Sequence, residues 1–217
     1  MKKQVIGLGA GGHARVMIEV IRLIGDYQLA GLLDPKEELW NTKVSGVLVL
    51  GDDSLLPELH SRGIQYAFIG LGSIGDTRPR RLLYEKASRH GFQIINIVHP
   101  KAVISSSVKV GDGATILAGA LVNTDVILGN NVTVNTGAIV EHDCVIDDHV
   151  HIATGACLAS GVSVNEGSHI GLGASIRQGA RIGRNAIVGA GAVVIEDVPD
   201  EVTVVGIPAR PLKTLRQ

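Results

Sequence analysis

Residues 135–158 have the sequence NTGAIV EHDCVI DDHVHI ATGACL, where the spaces mark blocks of six. Every block ends in an aliphatic residue and has a small or aliphatic residue at its fourth position. The same division continues without a gap from residue 99 to residue 194, and all sixteen blocks end in Ile, Leu or Val. These final residues are Ile104, Val110, Ile116, Val122, Leu128, Val134, Val140, Ile146, Ile152, Leu158, Val164, Ile170, Ile176, Ile182, Val188 and Val194. An unbroken period of six over this length indicates a solenoid built from one repeated unit.

Strand geometry explains the repeat. Positions four and six lie two residues apart, so they share one face of a short strand, and that face must form the core. Position five then points outward. Positions one to three must turn the chain, and they are rich in Gly, Asn and Asp, which tolerate positive φ. We therefore predict a parallel β-helix with three-residue strands, positive φ at positions one and three, and an aliphatic interior.

Residues 1–98 follow a different pattern, in which strands and helices alternate. The predicted strands are Val5–Leu8, Leu29–Leu33, Val47–Leu50, Tyr66–Leu71 and Gln93–Val98, and the predicted helices are Ala14–Ile24 and Thr77–His90. This alternation favours a small parallel, Rossmann-like α/β sheet. The predicted organisation is an α/β domain over 1–98, an all-β parallel β-helix over 99–194 and a closing segment over 195–217.

The composition limits the classes of function. The 217 residues carry a net charge of −1, so no basic surplus points to nucleic acid or to a membrane surface. Cys144 and Cys157 are too few for a disulfide framework, which favours a reducing compartment. The apolar run at the N-terminus is too short for a signal peptide, and no window has the length of a transmembrane helix. We expect a soluble, cytoplasmic protein with no nucleic-acid partner and no membrane insertion.

A glycine-rich turn follows the first predicted strand. Residues 7–12, GLGAGG, match the pattern G-x-G-x-x-G, and Asp34 follows the second strand. The α/β part is short for a full dinucleotide fold, so we do not predict NAD. We predict instead that a diphosphate lies against Gly11, Gly12 and His13, at the start of a helix. Further candidate substrate contacts are Asp34 for the base or ribose, and Gly72 and Ser73 at the same sheet edge.

His142 is the main catalytic candidate. It lies at position two of its block, on a turn where packing does not require an imidazole, between Glu141 and Asp143. A carboxylate that hydrogen-bonds one ring nitrogen raises the basicity of the other, which suits a general base. The plain alternative is a solvated histidine on a turn. A zinc site formed by His142, His149 and His151 is disfavoured because these residues fall on different parts of the coil.

Four sequence features together resemble those of a known family. They are the repeat itself, the segments GAGGH (residues 9–13) and IVEHDC (residues 139–144), and the closing segment VGIPAR (residues 205–210). The chain resembles the hexapeptide-repeat acyltransferases, whose β-helix is left-handed and three-sided. Within them it is most similar to the bacterial nucleotide-sugar N-acetyltransferases, which acetylate a 4-amino sugar on a UDP or GDP carrier.

The resemblance implies roles for particular residues. His142 would be the general base and Asp143 the carboxylate that tunes it. His151 would contact acetyl-CoA near the thioester carbonyl, and Asn135, otherwise a turn residue with positive φ, would lie near the sugar. The remaining implied acetyl-CoA contacts, made through the backbone, are Ser160, Leu172 and Ala190.

The resemblance also implies direct acetyl transfer from acetyl-CoA without a metal, and a homotrimer with active sites between subunits. The coil geometry leads to the same assembly. His142 and His151 are half a coil apart and face away from each other, so a site that uses both needs two chains. Two other functions stay open. They are acetylation of a sugar hydroxyl, as in the related sialic acid O-acetyltransferases, and a β-helical binding protein without activity.

Overall fold

The computed structural model describes residues 2–212, which form two compact units. One unit contains the residues up to 73 together with 78–100, and the other contains 74–77 together with the residues from 101 onward. The boundary lies two residues beyond the predicted one, and the short segment 74–77 groups with the repeats. The last five residues of the predicted closing segment lie outside the described residues. Within residues 2–212, no helix is long and apolar enough to cross a membrane.

The first unit contains a six-stranded sheet. Its strands are β1 (Lys3–Leu8), β2 (Tyr27–Leu33), β3 (Lys43–Val44), β4 (Val47–Gly51), β5 (Tyr66–Ile69) and β6 (Gln93–Ile94), in the order β3-β4-β2-β1-β5-β6. All neighbours are parallel except β3 and β4, which form a tight antiparallel hairpin through Ser45 and Gly46, both with positive φ. The predicted parallel sheet is therefore confirmed apart from this edge hairpin. The predicted strand Gln93–Val98 is two strands, β6 and β7 (Ile97–Val98).

Three α-helices accompany the sheet. They are α1 (Gly12–Ile24), α2 (Leu56–Ser61) and α3 (Arg78–Arg89), with 3₁₀ turns at Glu37–Leu39 and Asp53–Leu55. Helix α1 buries Met17, Ile18 and Ile21, which recur at helical spacing, and ends at Gly25 in the left-handed conformation. Helix α2 has only six residues, too few to show a hydrophobic period, and the sequence did not predict it.

The second unit is the parallel β-helix. Its strands pair with those 18 residues further on, for example Leu121 with Ile139, so three blocks of six make one coil. The first side contains β10 (Thr115–Ile116), β13 (Thr133–Val134), β16 (His151–Ile152), β19 (His169–Ile170), β22 (Ile187–Val188), β24 (Thr203–Val205) and the antiparallel β25 (Arg210–Pro211). The second side contains β8 (Val103–Ile104), β11 (Leu121–Val122), β14 (Ile139–Val140), β17 (Cys157–Leu158), β20 (Ser175–Ile176) and β23 (Val193–Val194). The third side contains β9 (Lys109–Val110), β12 (Ile127–Leu128), β15 (Val145–Ile146), β18 (Ser163–Val164) and β21 (Arg181–Ile182).

The corners correct one expectation. Every position three from residue 113 to residue 191 has positive φ, including Asp143 and His149, but position one, including Asn135, does not. Glycine at position one has another cause, which is close approach of the next coil. A Cβ on Gly111 would lie 2.7 Å from the carbonyl carbon of Gly129. Steric contact rather than backbone conformation therefore requires glycine there.

The burial of side chains confirms the predicted interior of the β-helix, but the outward position of the repeat is unexpectedly buried on the first side. From residue 114 to residue 194, positions four and six are buried aliphatic or small residues, and in the first two blocks they are half-buried. On the first side, however, position five is also buried, at Thr115, Thr133, His151 and His169. The expectation of an exposed position five is wrong there. Part of the reason is that β16 and β19 pair in register, so the rings of His151 and His169 lie 5.0 Å apart and shield each other.

Candidate active site

His142 lies at the corner between the second and third sides, directly after β14. Its Nδ1 donates a hydrogen bond of 2.7 Å to Asp143 Oδ2, and its side chain is 49% exposed. Backbone bonds from neighbouring coils hold the corner: Gly161 N–H donates to the carbonyl of His142, and Asp143 N–H donates to that of Thr124. A neutral ring that donates from Nδ1 carries its lone pair on Nε2. The corner therefore presents an accessible base with a fixed orientation.

The neighbours of this pair have separate contacts. Glu141 Oε2 accepts a hydrogen bond of 2.9 Å from Asn123 Nδ2, one coil earlier, so Asp143 is the carboxylate that orients His142. Cys144 is fully buried, and its thiol donates to the carbonyl of Ala159 at 3.2 Å. Burial raises the pKa of this thiol. Cys144 is thus an inward packing residue, as its position in the block predicts, and is unsuited to act as a nucleophile.

Asn135 and His151 are brought together at a different place. Asn135 lies at the corner between the first and second sides, and its Nδ2 is 3.5 Å from Nε2 of His151. His151 belongs to the first side, which does not adjoin the corner of His142. His151 is buried, which corrects the expectation that it stands on an exposed face. The prediction that His142 and His151 are separated by the core of one chain agrees with this arrangement.

The other predicted acetyl-CoA contacts divide between two corners. Leu172 and Ala190 are exposed and follow Asn135 along one corner, whereas Ser160 lies one coil after His142. The carbonyls of Ser160 and Leu172 accept hydrogen bonds from Gly179 N–H and Gly191 N–H. These two carbonyls are therefore already bonded to the next coil, because stacked coils bond to each other in register.

His149 does not join the other histidines. It is buried at the corner between the third and first sides, where its Nδ1 is 3.0 Å from Asn131 Nδ2. Among residues 2–212, no three His, Cys, Asp or Glu side chains are arranged to hold a metal ion.

The glycine turn of the α/β unit leaves the start of α1 open. The helix has no side-chain N-cap, and a Cβ on Gly11 or Gly12 would meet no atom within 4 Å. Gly9 has φ +104° and approaches the backbone of Gly70 and Leu71, so it must be glycine. Unpaired N–H groups at a 13-residue helix N-terminus attract anions. The arrangement suits the predicted diphosphate.

Asp34 is fixed beside this turn. Its two carboxylate oxygens accept hydrogen bonds from Ala10 N–H at 2.8 Å and Lys36 N–H at 3.1 Å, and each retains a further lone pair. Asp34 borders a cavity of about 430 Å³ at the carboxyl ends of the parallel strands. Its lining is Leu8, Gly9, Leu33, Asp34, Pro35, Lys36, Asp53, Leu71, Pro79, Leu82, Leu83 and Lys86. This volume lies in the range of small-molecule sites.

His13 is half-buried beside the turn, and its Nε2 is shielded from solvent. Burial, reinforced by the charge of Arg80, lowers the pKa of His13 to about 4, so the ring is neutral at pH 7. Its Nε2 has no partner among residues 2–212, and Gly72 packs against the ring. Ser73, the next residue, is also buried. A diphosphate contact by His13 would therefore use its backbone N–H or the neutral ring.

Arg80 is a residue that the sequence analysis missed. It is buried in α3, and its Nη1 donates to the carbonyls of Ile69 and Leu71 at 2.8 and 2.9 Å. Burial lowers the pKa of Arg80 to about 10, which leaves it charged at neutral pH beneath the glycine turn. An arginine in a helix with four other basic residues normally indicates a solvated face, so only the fold reveals that Arg80 is buried.

Comparison with known proteins gives the following matches. Residues 4–87 match the family described as PglD N-terminal domain. A UDP-N-acetylbacillosamine N-acetyltransferase of Bacillus subtilis (strain 168) is 36% identical over 116 residues, which cover 54% of this chain and about half (52%) of that relative's length. Perosamine N-acetyltransferase of Caulobacter crescentus, solved with CoA and GDP-perosamine, is 41% identical with a TM-score of 0.90 and covers 97% of both chains. The acetyltransferase domain of PglB from Neisseria gonorrhoeae FA1090, solved with acetyl coenzyme A, is 35% identical with a TM-score of 0.88 and covers 98% of this chain and 100% of that one.

A glycine-turn α/β unit joined to a β-helix of six-residue repeats defines an acyltransferase of the hexapeptide-repeat class. The Caulobacter and Neisseria proteins match nearly the whole chain, and their sequence identity to it specifies the family within this class. The chain belongs to the hexapeptide-repeat nucleotide-sugar acetyltransferases. The predicted family, the left-handed β-helix and the assignment as an acetyl-CoA-dependent acetyltransferase are thereby confirmed.

Proposed function

We propose that the protein transfers an acetyl group from acetyl-CoA to the amino group of a 4-amino sugar carried on a nucleoside diphosphate. The observation that carries the proposal is the His142–Asp143 hydrogen bond of 2.7 Å at an exposed corner. The open α1 N-terminus supplies a place for the diphosphate. The Caulobacter and Bacillus relatives are N-acetyltransferases, which favours an amine over a hydroxyl as acceptor.

Each proposed residue has a defined task. His142 Nε2 removes a proton from the acceptor amine as its nitrogen attacks the acetyl carbonyl carbon, and Asp143 stabilises the imidazolium that results. Donors near His151 and Asn135 stabilise the oxyanion of the tetrahedral intermediate. The C–S bond then breaks, and His142 returns its proton to the departing CoA thiolate. The N-terminal N–H groups of α1 hold the diphosphate, and Asp34 lies beside it for the ribose or base.

We also propose a closed trimer with its sites between subunits. His142 and the Asn135–His151 pair lie at opposite edges of the second side, so the two sets can meet only across an interface between copies. A cyclic trimer pairs the His142 corner of each chain with the Asn135 corner of the next. Exposed aliphatic residues on the second and third sides, namely Val103, Leu121, Ile127 and Val145, provide apolar surface for such contacts. We propose that Ser160, Leu172 and Ala190 border the acetyl-CoA through N–H groups at the corners.

Release of free CoA tests the proposed activity. The protein is mixed with acetyl-CoA and GDP-, UDP- or dTDP-linked 4-amino sugars, and the new thiol is measured while the acetylated sugar is identified by mass spectrometry. We expect release that depends on the amino sugar and an acetamide product. An ester product, acetylated on a sugar hydroxyl instead of the amine, would replace the proposal with O-acetylation, and no thiol release with any of these sugars would refute it.

A further inference from the structure

Helix α3 gives the cavity of the α/β unit an apolar wall. Pro79, Leu82 and Leu83 line this wall, and Leu82 is 60% exposed although it is a large aliphatic residue. The cavity also includes Gly9 of the phosphate-binding turn and Asp34, the proposed ribose contact. An apolar wall next to a proposed phosphate and ribose site suits the face of a nucleotide base.

The same cavity has a charged edge. Lys86 Nζ of α3 lies 2.7 Å from Asp53 Oδ1, and both side chains are about one-third exposed. The neighbouring Asp52 does not bind Lys86 in this way. Its Oδ1 accepts hydrogen bonds from the backbone N–H and the Oγ–H of Ser54. Asp52 thus caps the 3₁₀ turn, while Asp53 and Lys86 present one cation and one carboxylate side by side to the cavity.

We propose that the Asp53–Lys86 pair makes this cavity selective for guanine. This inference rests on the proposed nucleotide-sugar function and specifies its carrier as guanosine diphosphate. The outer edge of guanine presents an acceptor at O6 followed by donors at N1 and N2. Lys86 supplies the matching donor, and the two oxygens of Asp53 supply the two acceptors in sequence.

Other bases match this edge less well. Uracil and thymine present acceptor, donor, acceptor, so their O2 would oppose a carboxylate oxygen of Asp53. Hypoxanthine keeps O6 and N1–H but lacks the 2-amino group, so it tests one of the two Asp53 contacts by itself. Replacing Asp53 with Asn changes one acceptor into a donor, which matches xanthine, whose position two carries an oxygen.

The experiment is calorimetric titration of the full chain with free diphosphates, followed by the Asp53→Asn variant. For the unaltered protein we expect GDP to bind at least about tenfold tighter than UDP or dTDP. Inosine diphosphate (IDP), which carries hypoxanthine, should bind with an affinity between those of GDP and UDP. The Asp53→Asn substitution should weaken GDP binding by roughly ten- to hundredfold. The variant should bind xanthosine diphosphate (XDP), which carries xanthine, more tightly than GDP. The matched control is Glu58→Gln, which removes an exposed carboxylate paired with Arg62 outside the cavity, and it should leave all affinities unchanged.

Gain of XDP binding distinguishes altered selectivity from misfolding. Equal affinity for GDP and UDP, or Asp53→Asn affinities that match those of the control, overturns the inference. Absence of binding for every diphosphate overturns it too. Failure of this inference can be distinguished from failure of the proposed function. Efficient acetylation of a UDP-linked amino sugar would refute guanine selectivity but would support acetyl transfer. GDP binding that depends on Asp53, without any acetyl transfer, would support guanine selectivity but would refute the proposed activity.

Discussion

Replacing Asp143 with Asn tests whether this carboxylate orients His142 and stabilises its imidazolium form. The substitution keeps the shape of the side chain, and Asn tolerates the φ of +60° at this position. It removes the negative charge that lies 2.7 Å from His142 Nδ1. The backbone bonds of the corner are unaffected, so the fold and the binding of acetyl-CoA should be preserved.

The contact distance sets the magnitude. Two unit charges separated by 2.7 Å interact by about 1.5 kcal/mol in the dielectric of water, which corresponds to roughly a tenfold rate effect on a step that forms the imidazolium. Asp143 is 65% exposed in the single chain, so a larger value applies only to the extent that bound substrates exclude water. We expect kcat to fall about ten- to a hundredfold, with KM for acetyl-CoA nearly unchanged.

The assay is initial-rate thiol release at saturating amino sugar, with Asp125→Asn as the matched control. Asp125 lies one coil before Asp143, at the same position of the repeat, with a φ of +57°. It therefore reports any general cost of placing Asn at this corner. Equal kcat values for the two variants would show that Asp143 does not assist His142, and equal melting temperatures would show that both variants fold.

Three further predictions concern His142, the pairing of His142 with His151, and His13. His142→Ala should lower kcat by about 10²–10⁴ with little effect on KM for acetyl-CoA, and a near-normal kcat would refute its role as general base. His142→Ala and His151→Ala chains, each defective alone, should regain at most about a third of normal activity when refolded together as mixed trimers; no recovery would place each site within one chain. The pKa of His13, lowered from 6.5 to about 4, favours the folded state above pH 6.5, and this stabilisation is lost as the pH falls toward 4. Urea unfolding should therefore show roughly 2–3 kcal/mol more acid destabilisation between pH 7.5 and 4.5 for the unaltered protein than for His13→Asn, and an equal loss would contradict burial of a neutral ring.

The repeat made the fold predictable. Aliphatic residues at every sixth position allow one arrangement that buries them all, so the β-helix follows from residues 99–194 alone. Its last strands, β24 and β25, lie beyond the repeat and were not predicted. The strand ends of the α/β unit were predicted to within a few residues because apolar runs stop at glycine or proline. Helix α2 and the β3–β4 hairpin were missed, since elements of six and two residues carry no period.

The sequence also predicted candidate sites at His142 and Asp143, which lie on a turn where packing does not require them, and at the glycine turn, which matches a phosphate-binding pattern. Adjacent residues such as His142 and Asp143 can pair through local geometry, so their hydrogen bond was predictable. The 5.0 Å stacking of His151 on His169, the burial of Arg80 beneath the glycine turn and the pairing of Asp53 with Lys86 were not. These contacts join residues from different strands, helices or coils, and their distances depend on how those elements pack. The sequence by itself thus determined the repeat, the fold class and the local motifs, whereas only the tertiary structure decided which charges and rings meet, because burial and proximity are properties of packed elements rather than of neighbours along the chain.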